Sequence, residues 1–174
     1  MIIELFSTPI FLGNIDASKI TLINEEFKNK WESKTKTSFD SSPIIEKESG
    51  NYLLHTISKL LAPKFNSAFE LCLTNIWSNK YEVEDYQEEH IHVNNDFSFI
   101  VYSKIKESKT VFLSCNRDLI QSFGLDKLFN TEFHLECRSN QIVIFPSFIK
   151  HRVKKNNEPG ETIAGNLKIK FING

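Results

Sequence analysis

Three histidines carry the chemistry that this sequence offers. His90 and His92 stand two residues apart within Gln87-Glu88-Glu89-His90-Ile91-His92-Val93-Asn94-Asn95-Asp96, and His151 ends Pro146-Ser147-Phe148-Ile149-Lys150-His151, about sixty residues later. On an extended segment, positions i and i+2 project to the same side. His90 and His92 can therefore converge on one ion at imidazole–metal distances of about 2 Å. Imidazole suits iron, zinc, copper and nickel alike. A strand-like run, Phe97-Ser98-Phe99-Ile100-Val101-Tyr102, begins just after the pair, and Ile142-Val143-Ile144-Phe145-Pro146 leads into His151. Two donors at the mouth of a sheet and a third at the end of another strand predict one metal centre inside a β-sandwich. A solvated surface turn is the plainer explanation of a bare His-x-His pair. Asp96, in the following loop, is an alternative carboxylate ligand. His55, between Leu54 and Thr56 on a helical stretch, reads as structural, and His134 reads as one residue of an alternating strand.

The elements that must position these side chains change period along the chain. Residues 1–15 read as an extended entry, with Pro9 confining any strand there to a sheet edge. Ser18 is a candidate N-cap for a helix over about 18–33, where Ile20, Ile23, Phe27 and Trp31 recur at helical spacing. Residues 35–50 are rich in Ser, Thr and charge and read as a loop able to act as a lid. A second helix is expected over 52–70 with the stripe Leu53, Ile57, Leu60, Leu61, Phe65 and Phe69, broken or kinked at Pro63. From residue 71 the period becomes two. Strands are expected at 71–78, 97–104, 110–115, 132–138, 141–145 and 162–172, with a short helix or lid at 118–128. The expected fold is mainly β with flanking helices (α+β): a double-stranded β-helix, or jelly roll, in one domain spanning 1–174. Residues 1–70 would form helical support packed outside, and 71–174 the jelly-roll core.

Composition narrows the function. The formal net charge of -1 leaves no basic surplus for nucleic acid or an anionic membrane, and the densest cationic cluster is local: Arg152, Lys154 and Lys155. Cys72, Cys115 and Cys137 lack metal-type spacing and are odd in number, which reads as free thiols in a reducing compartment. No secretory leader and no apolar run of membrane-spanning length is evident, so a cytoplasmic protein is expected.

Five segments, in order, resemble the iron- and 2-oxoglutarate-dependent oxygenases, in particular a small family from marine bacteria and phages. Glu4-Leu5-Phe6-Ser7-Thr8-Pro9-Ile10 resembles that family's opening LFPTP segment, and Ile76-Trp77-Ser78-Asn79 its W-x-N strand. The stretch from Gln87 to Ser98 resembles its PPHxHPxSxLS segment, with Glu88 and Glu89 where prolines are usual. Ile144-Phe145-Pro146-Ser147-Phe148-Ile149-Lys150-His151 resembles its IFPSxLxH segment, and Thr162-Ile163-Ala164-Gly165-Asn166 its final SIAFN strand.

The resemblance implies Fe(II) and 2-oxoglutarate as cofactors, with His90, His92 and His151 as metal ligands and catalytic residues. The activity it implies is hydroxylation of a small-molecule or peptidyl substrate. In the wider superfamily the second ligand is a carboxylate, and here His92 stands in its place, with Asp96 as the competing choice. A neutral third ligand leaves the metal one unit more positive and favours anionic ligands. The family's basic clamp for the far carboxylate of 2-oxoglutarate falls on Gly160, where no cation is present. Arg152 and Lys168 are the candidates to replace it, since a cation near a carboxylate gives a strong, charge-assisted contact. Alternation on the strands beside the motif adds Asn79, Ser98 and Tyr102 as candidate cofactor-binding residues. The missing clamp keeps two alternatives open: a jelly-roll binding protein that has lost 2-oxoglutarate use, and a three-histidine dioxygenase of cupin type.

Overall fold

In the computed structural model, residues 7–172 are described, apart from Trp31, Lys34 and Asn66. Ile2, Ile3 and Leu5 of the expected entry strand, with Glu4 and Phe6 of the opening LFPTP-like segment, lie outside the described residues. In chain order the strands are β1 (Phe11–Asn14), β2 (Leu22–Ile23), β3 (Lys28–Asn29), β4 (Lys36–Thr37) and β5 (Ile44–Ile45), then helix α1 (Lys47–Leu61). There follow β6 (Phe69–Tyr81), β7 (Gln87–His90), β8 (Phe97–Lys104), β9 (Thr110–Leu113), helix α2 (Arg117–Ser122), β10 (Glu132–His134), β11 (Gln141–Pro146), β12 (His151–Val153) and β13 (Gly160–Phe171). A seven-stranded sheet has the order β1-β11-β8-β13-β6-β4-β3, and a four-stranded sheet the order β10-β9-β12-β7. This is the jelly roll, and every pairing in it is antiparallel.

The large sheet is covered on both faces, which explains why its central strands read as unbroken apolar runs. On one face Phe99, Val101, Ile142, Ile144, Ile163 and Leu167 pack against Leu53, Ile57 and Leu61 of α1. On the other, Ile100, Tyr102, Val143 and Phe145 meet Phe112 and Leu135 from the small-sheet side. The alternation along β8 and β11 thus sorts side chains into a helix-facing core and a site-facing core. Gly165 is required by close approach: a Cβ there would lie 2.5 Å from Phe99 Cζ and 2.7 Å from the Asn75 carbonyl oxygen.

The amino-terminal third departs from the helical reading. The described residues of 18–33 form no α-helix. Asp16 caps a single 3-10 turn, Ala17–Lys19, by accepting from the Ser18 N–H at 3.1 Å, and Asn24 has a left-handed φ of 62°. Leu22 and Ile23 then pair with Ile45 and Ile44, and Lys28 and Asn29 with Thr37 and Lys36. Helical periodicity over so short a window is a weak prior, and strand pairing with distant residues overrides it. The second helix exists but runs from Lys47 to Leu61, not 52–70. Its first turn uses Ser49 and Gly50, residues that read as loop formers. The Ser49 hydroxyl accepts from the Thr21 N–H, and Gly50 N–H donates to Glu46. Pro63 falls in the 3-10 turn Ala62–Lys64 that ends the helix. Phe65 and Phe69 continue the apolar stripe from outside it, in an edge-on aromatic cluster with Phe171 and Phe97.

Residues 35–50 are not a free lid either. β4 extends the large sheet by pairing Thr37 with Asn79. The Thr35 hydroxyl donates to the Tyr86 carbonyl at 2.8 Å, and Thr35, Thr37 and Ser38 are buried. Among the described residues no helix is long and apolar enough to cross a membrane.

Candidate metal centre

The three histidines meet between the sheets. His90 ends β7 and pairs across to His151, which opens β12 and pairs in turn with Phe112 of β9. The β7–β12 register slips between His90 and Gln87, a bulge of the sort that re-aims side chains beside active sites. It lets Gln87 and His90 both line the interior while Glu88 and Glu89 turn elsewhere. His92 follows after the strand, its N–H donating to the Ser147 carbonyl at 3.0 Å, so the two histidine-bearing segments are tied together by backbone.

One nitrogen from each of His90, His92 and His151 lies within 4.8 Å of the others. Their rings sit 4.2 to 5.2 Å apart, centroid to centroid. His90 Nδ1 is 2.7 Å from the Glu88 carbonyl and His151 Nδ1 is 3.1 Å from the Ile149 carbonyl. Donation to these carbonyls places the proton on Nδ1 and leaves Nε2 as the free donor pair, the tautomer a metal requires. His92 Nε2 is buried with no partner. Burial holds all three imidazoles below their ordinary pKa. It is the main cause for His90. It carries His92 to about 4, with His90 as a second cause and an Asn166 hydrogen bond opposing. It holds His151 well below its ordinary value, with His90 and His92 contributing. All three are neutral at neutral pH and ready to ligate.

A stability consequence follows for the metal-free protein. Between about pH 6.5 and 4 the unfolded chain binds protons that the folded chain does not, so folding stability rises with pH through this window and is lost as pH falls. His92 alone, shifted to about 4, contributes on the order of 3 kcal/mol. The urea midpoint of the metal-free protein should therefore drop between pH 7 and pH 4, and drop less in His92→Gln. Equal pH slopes in the two proteins would contradict the assignment.

Around the histidines the walls are aromatic. Trp77 stacks on His92 at 5.7 Å and 19°, Phe145 meets His151 edge-on at 4.8 Å, and Phe39 packs edge-on against Trp77 at 4.8 Å. A narrow cavity leads from the histidines past Trp77 and Asn79 to a hydroxyl-rich end formed by Tyr81, Tyr102, Ser108, Thr110 and Thr162. There the Tyr102 hydroxyl donates to Thr110 Oγ1 at 2.9 Å and accepts from Ser108 Oγ at 3.2 Å. Burial pushes both Tyr81 and Tyr102 well above the ordinary phenol pKa, so both remain protonated donors.

The sequence-derived candidates divide between inside and outside. Asn79 and Tyr102 line the cavity. Ser98 is fully buried in a polar chain beside it, bonded to Ser147 Oγ at 2.8 Å and Asn166 Oδ1 at 2.7 Å, with Asn166 passing on to Asn75. Its contacts are therefore with Ser147 and Asn166 and not with the cavity. Arg152 and Lys168 lie outside the cavity. Arg152 is held by Glu89 at 3.1 Å and Glu132 at 2.9 Å, in a four-residue ion cluster completed by Arg117, and Lys168 is 3.4 Å from Asp96. Asp96 is likewise turned away from the histidines: its carboxylate accepts from the Ile169 N–H at 2.8 Å. Arg117, by hydrogen bonding, holds the Glu89 carboxyl below its ordinary pKa, so Glu89 works as an anchor for α2 and β12. Trp77, Tyr81, Gln87 and Thr110 were not singled out from sequence, although inward alternation with Asn79 marks Trp77 and Tyr81.

Residues 75–164, just over half of the chain, match the family described as "Putative 2OG-Fe(II) oxygenase". No curated protein sequence matches the chain. Among solved structures, an oxidoreductase of the 2OG-Fe(II) oxygenase family from Burkholderia pseudomallei superposes with a TM-score of 0.60 at 9% identity, over 83% of this chain and 72% of that one. HygX from Streptomyces hygroscopicus, solved with nickel and 2-oxoglutarate bound, gives 0.54 at 11% identity over 92% and 83%. A Pseudomonas putida prolyl-4-hydroxylase gives 0.51 at 12% identity over 88% and 79%. At such identities these structures speak to the fold, and they share it. The matched segment runs from the middle of β6 into the start of β13, and holds His90, His92 and His151 and the cavity beside them; by that match the chain belongs to the 2OG-Fe(II) oxygenase family.

Proposed function

We propose that this oxygenase hydroxylates a small-molecule or peptidyl substrate, with Fe(II) held by His90, His92 and His151 and 2-oxoglutarate seated in the adjoining cavity. The observation that carries this reading is a set of unpartnered polar atoms. Trp77 Nε1, Asn79 Oδ1 and His92 Nε2 are buried without hydrogen-bond partners, and all three residues line the same cavity. Buried polar groups are almost always satisfied, so three orphans around one space fit a polar ligand and a metal. The Asn79 amide can present either its oxygen or its nitrogen by rotation. The Trp77 N–H can only donate, which suits a carboxylate or carbonyl oxygen.

When bound, the iron and the 2-oxo acid supply the oxidising chemistry for hydroxylation. The chain contributes binding, orientation and exclusion of water. Three neutral imidazoles leave the ion's full positive charge uncompensated, which favours an anionic cosubstrate. Trp77, Phe145 and Phe112 wall the histidines with apolar surface. The Ser98–Asn166–Asn75 hydrogen-bonded chain ties β8, β13 and β6 together beside the site. The hydroxylated end offers donors to a polar group lying away from the metal. HygX was solved with hygromycin B as well as 2-oxoglutarate, and the Pseudomonas relative is a prolyl hydroxylase; both substrate classes are consistent with a site whose entrance the fold leaves to loops. The three thiols are unpaired, as suits a reducing cytoplasm.

The test is an anaerobic Fe(II) titration followed by 2-oxoglutarate and then oxygen. Development of a weak visible charge-transfer band, and oxygen-dependent release of succinate, are expected. Stoichiometric iron with no band and no succinate would reject 2-oxoglutarate use.

A further inference from the structure

Two of the three histidines are held by backbone. His90 Nδ1 and His151 Nδ1 each lie on the carbonyl two residues back, at 2.7 and 3.1 Å. The His92 ring takes no such backbone bond among the described residues, and its Nε2 has no hydrogen-bond partner there. Packing holds it instead. The ring is nearly parallel to two others, Trp77 at 5.7 Å and 19° and His151 at 5.2 Å and 15°. Trp77 is buried, and β13 sets Ala164 across from it, a small neighbour that leaves the indole room. The indole is braced in turn by Phe39, edge-on at 4.8 Å and 84°. Backbone fixes that contact. The Ser38 N–H donates to the Ser78 carbonyl at 3.0 Å, and the Ser78 N–H donates to Ser38 Oγ at 2.9 Å. Lys30 Nζ lies over the Phe39 ring at 4.1 Å and pairs with Asp40. Phe39, Lys30 and Asp40 all precede residues 75–164, the segment that matches the family.

We propose that Trp77 is a positioning residue for His92, fixing its imidazole by ring stacking, and that Phe39 acts on the same histidine through Trp77. A free imidazole turns about two side-chain torsions, and each turn moves Nε2. Confining the ring before the ion arrives reduces the freedom lost on binding. The amino-terminal segment thereby shapes the metal centre without touching it. Both roles rest on the three-histidine centre proposed above, but they can fail separately from it.

The experiment titrates Co(II) and Ni(II) into the metal-free protein. No 2-oxo acid is present, so the indole N–H plays no part. Affinity is read by calorimetry, and geometry from the Co(II) ligand-field bands. Trp77→Leu should weaken both metals about 10-fold or more, as when an outer partner of a metal ligand is lost, and should shift the Co(II) bands. Trp77→Phe keeps a ring against His92 and should stay within about threefold with its bands unmoved. Phe39→Leu should weaken binding about 3–10-fold, the loss of one aromatic pair. Phe171→Leu is the control for stability. Phe171 is 45% exposed against 37% for Phe39, and packs edge-on at 5.3 Å on Phe65 of the helix-facing core. Its loss should lower the urea midpoint about as much as Phe39→Leu, with metal affinity and bands unchanged. Wild-type affinity and bands in Trp77→Leu would overturn the role of Trp77, and in Phe39→Leu that of Phe39, with the metal centre intact in either case. Equal weakening in Trp77→Leu and Trp77→Phe would also overturn it, since the loss would not follow the ring. Where Trp77→Leu does not fold, Phe39→Leu measured against Phe171→Leu decides. Failure of the wild type to bind either metal would remove the centre itself.

Discussion

Replacing His92 with alanine is expected to lower Fe(II) affinity by about 100-fold or more, whereas Asp96→Ala should leave it within about threefold. The reason is positional. His92 contributes one of the three mutually close nitrogens, and its Nε2 has no hydrogen-bond partner among the described residues. Asp96 accepts from Ile169 N–H and pairs with Lys168, on the side of the loop that binds β13. Its loss removes a backbone contact worth about 1 kcal/mol without touching the metal. Anaerobic titration with Fe(II), or with redox-inert Ni(II) as a stand-in, measures both. His92→Asp is an informative third variant: it introduces the carboxylate of the wider superfamily and should retain metal, with less pull on an anionic cosubstrate because one positive charge is cancelled. Iron binding lost in Asp96→Ala and kept in His92→Ala would reverse the ligand assignment.

Truncating Phe145 to alanine should cost about 3–5 kcal/mol of folding stability, the second large effect. Phe145 is fully buried on the site-facing side of β11. Its ring contacts Phe112 at 4.9 Å and His151 at 4.8 Å, both edge-on. The vacated volume borders a histidine that has one backbone carbonyl to hold it, so the lost packing should also loosen the ligand set. Phe148, three residues on and 60% exposed, provides the contrast: Phe148→Ala should stay within about 0.5 kcal/mol. Urea unfolding of the metal-free proteins gives both stabilities, and metal titration of Phe145→Ala shows whether the site weakens with the core. Similar losses for the two substitutions would mean that the site-facing core is not packed as described.

The parts of this protein legible in the sequence are those governed by local spacing. The strand from Phe97 to Lys104 and the run from Gln141 have compositions that only a covered sheet explains. The helix stripe Leu53, Ile57, Leu61 is legible for the same reason, since a period of 3.6 residues persists long enough to be distinctive. The amino-terminal segment was not legible. Ile20, Ile23 and Phe27 mimic one helical face over too few residues, while the actual partners of Leu22 and Lys28 lie at Ile45 and Thr37. Nothing local announces such pairings, because their free energy comes from contacts made after the chain has folded back.

The site divides along the same line. By itself the sequence determined which residue types were available to a metal: two imidazoles forced to one side by their spacing, and a third at the foot of an apolar strand. Only the tertiary structure decided what those residues meet. It turned Asp96 toward β13 and away from the histidines. It committed Arg152 to Glu89 and Glu132, and it closed the Gly160 position with Ile105. Charged side chains are long and their partners are distant in sequence, so their destinations are settled by competition among carboxylates that only the folded sheets bring within reach.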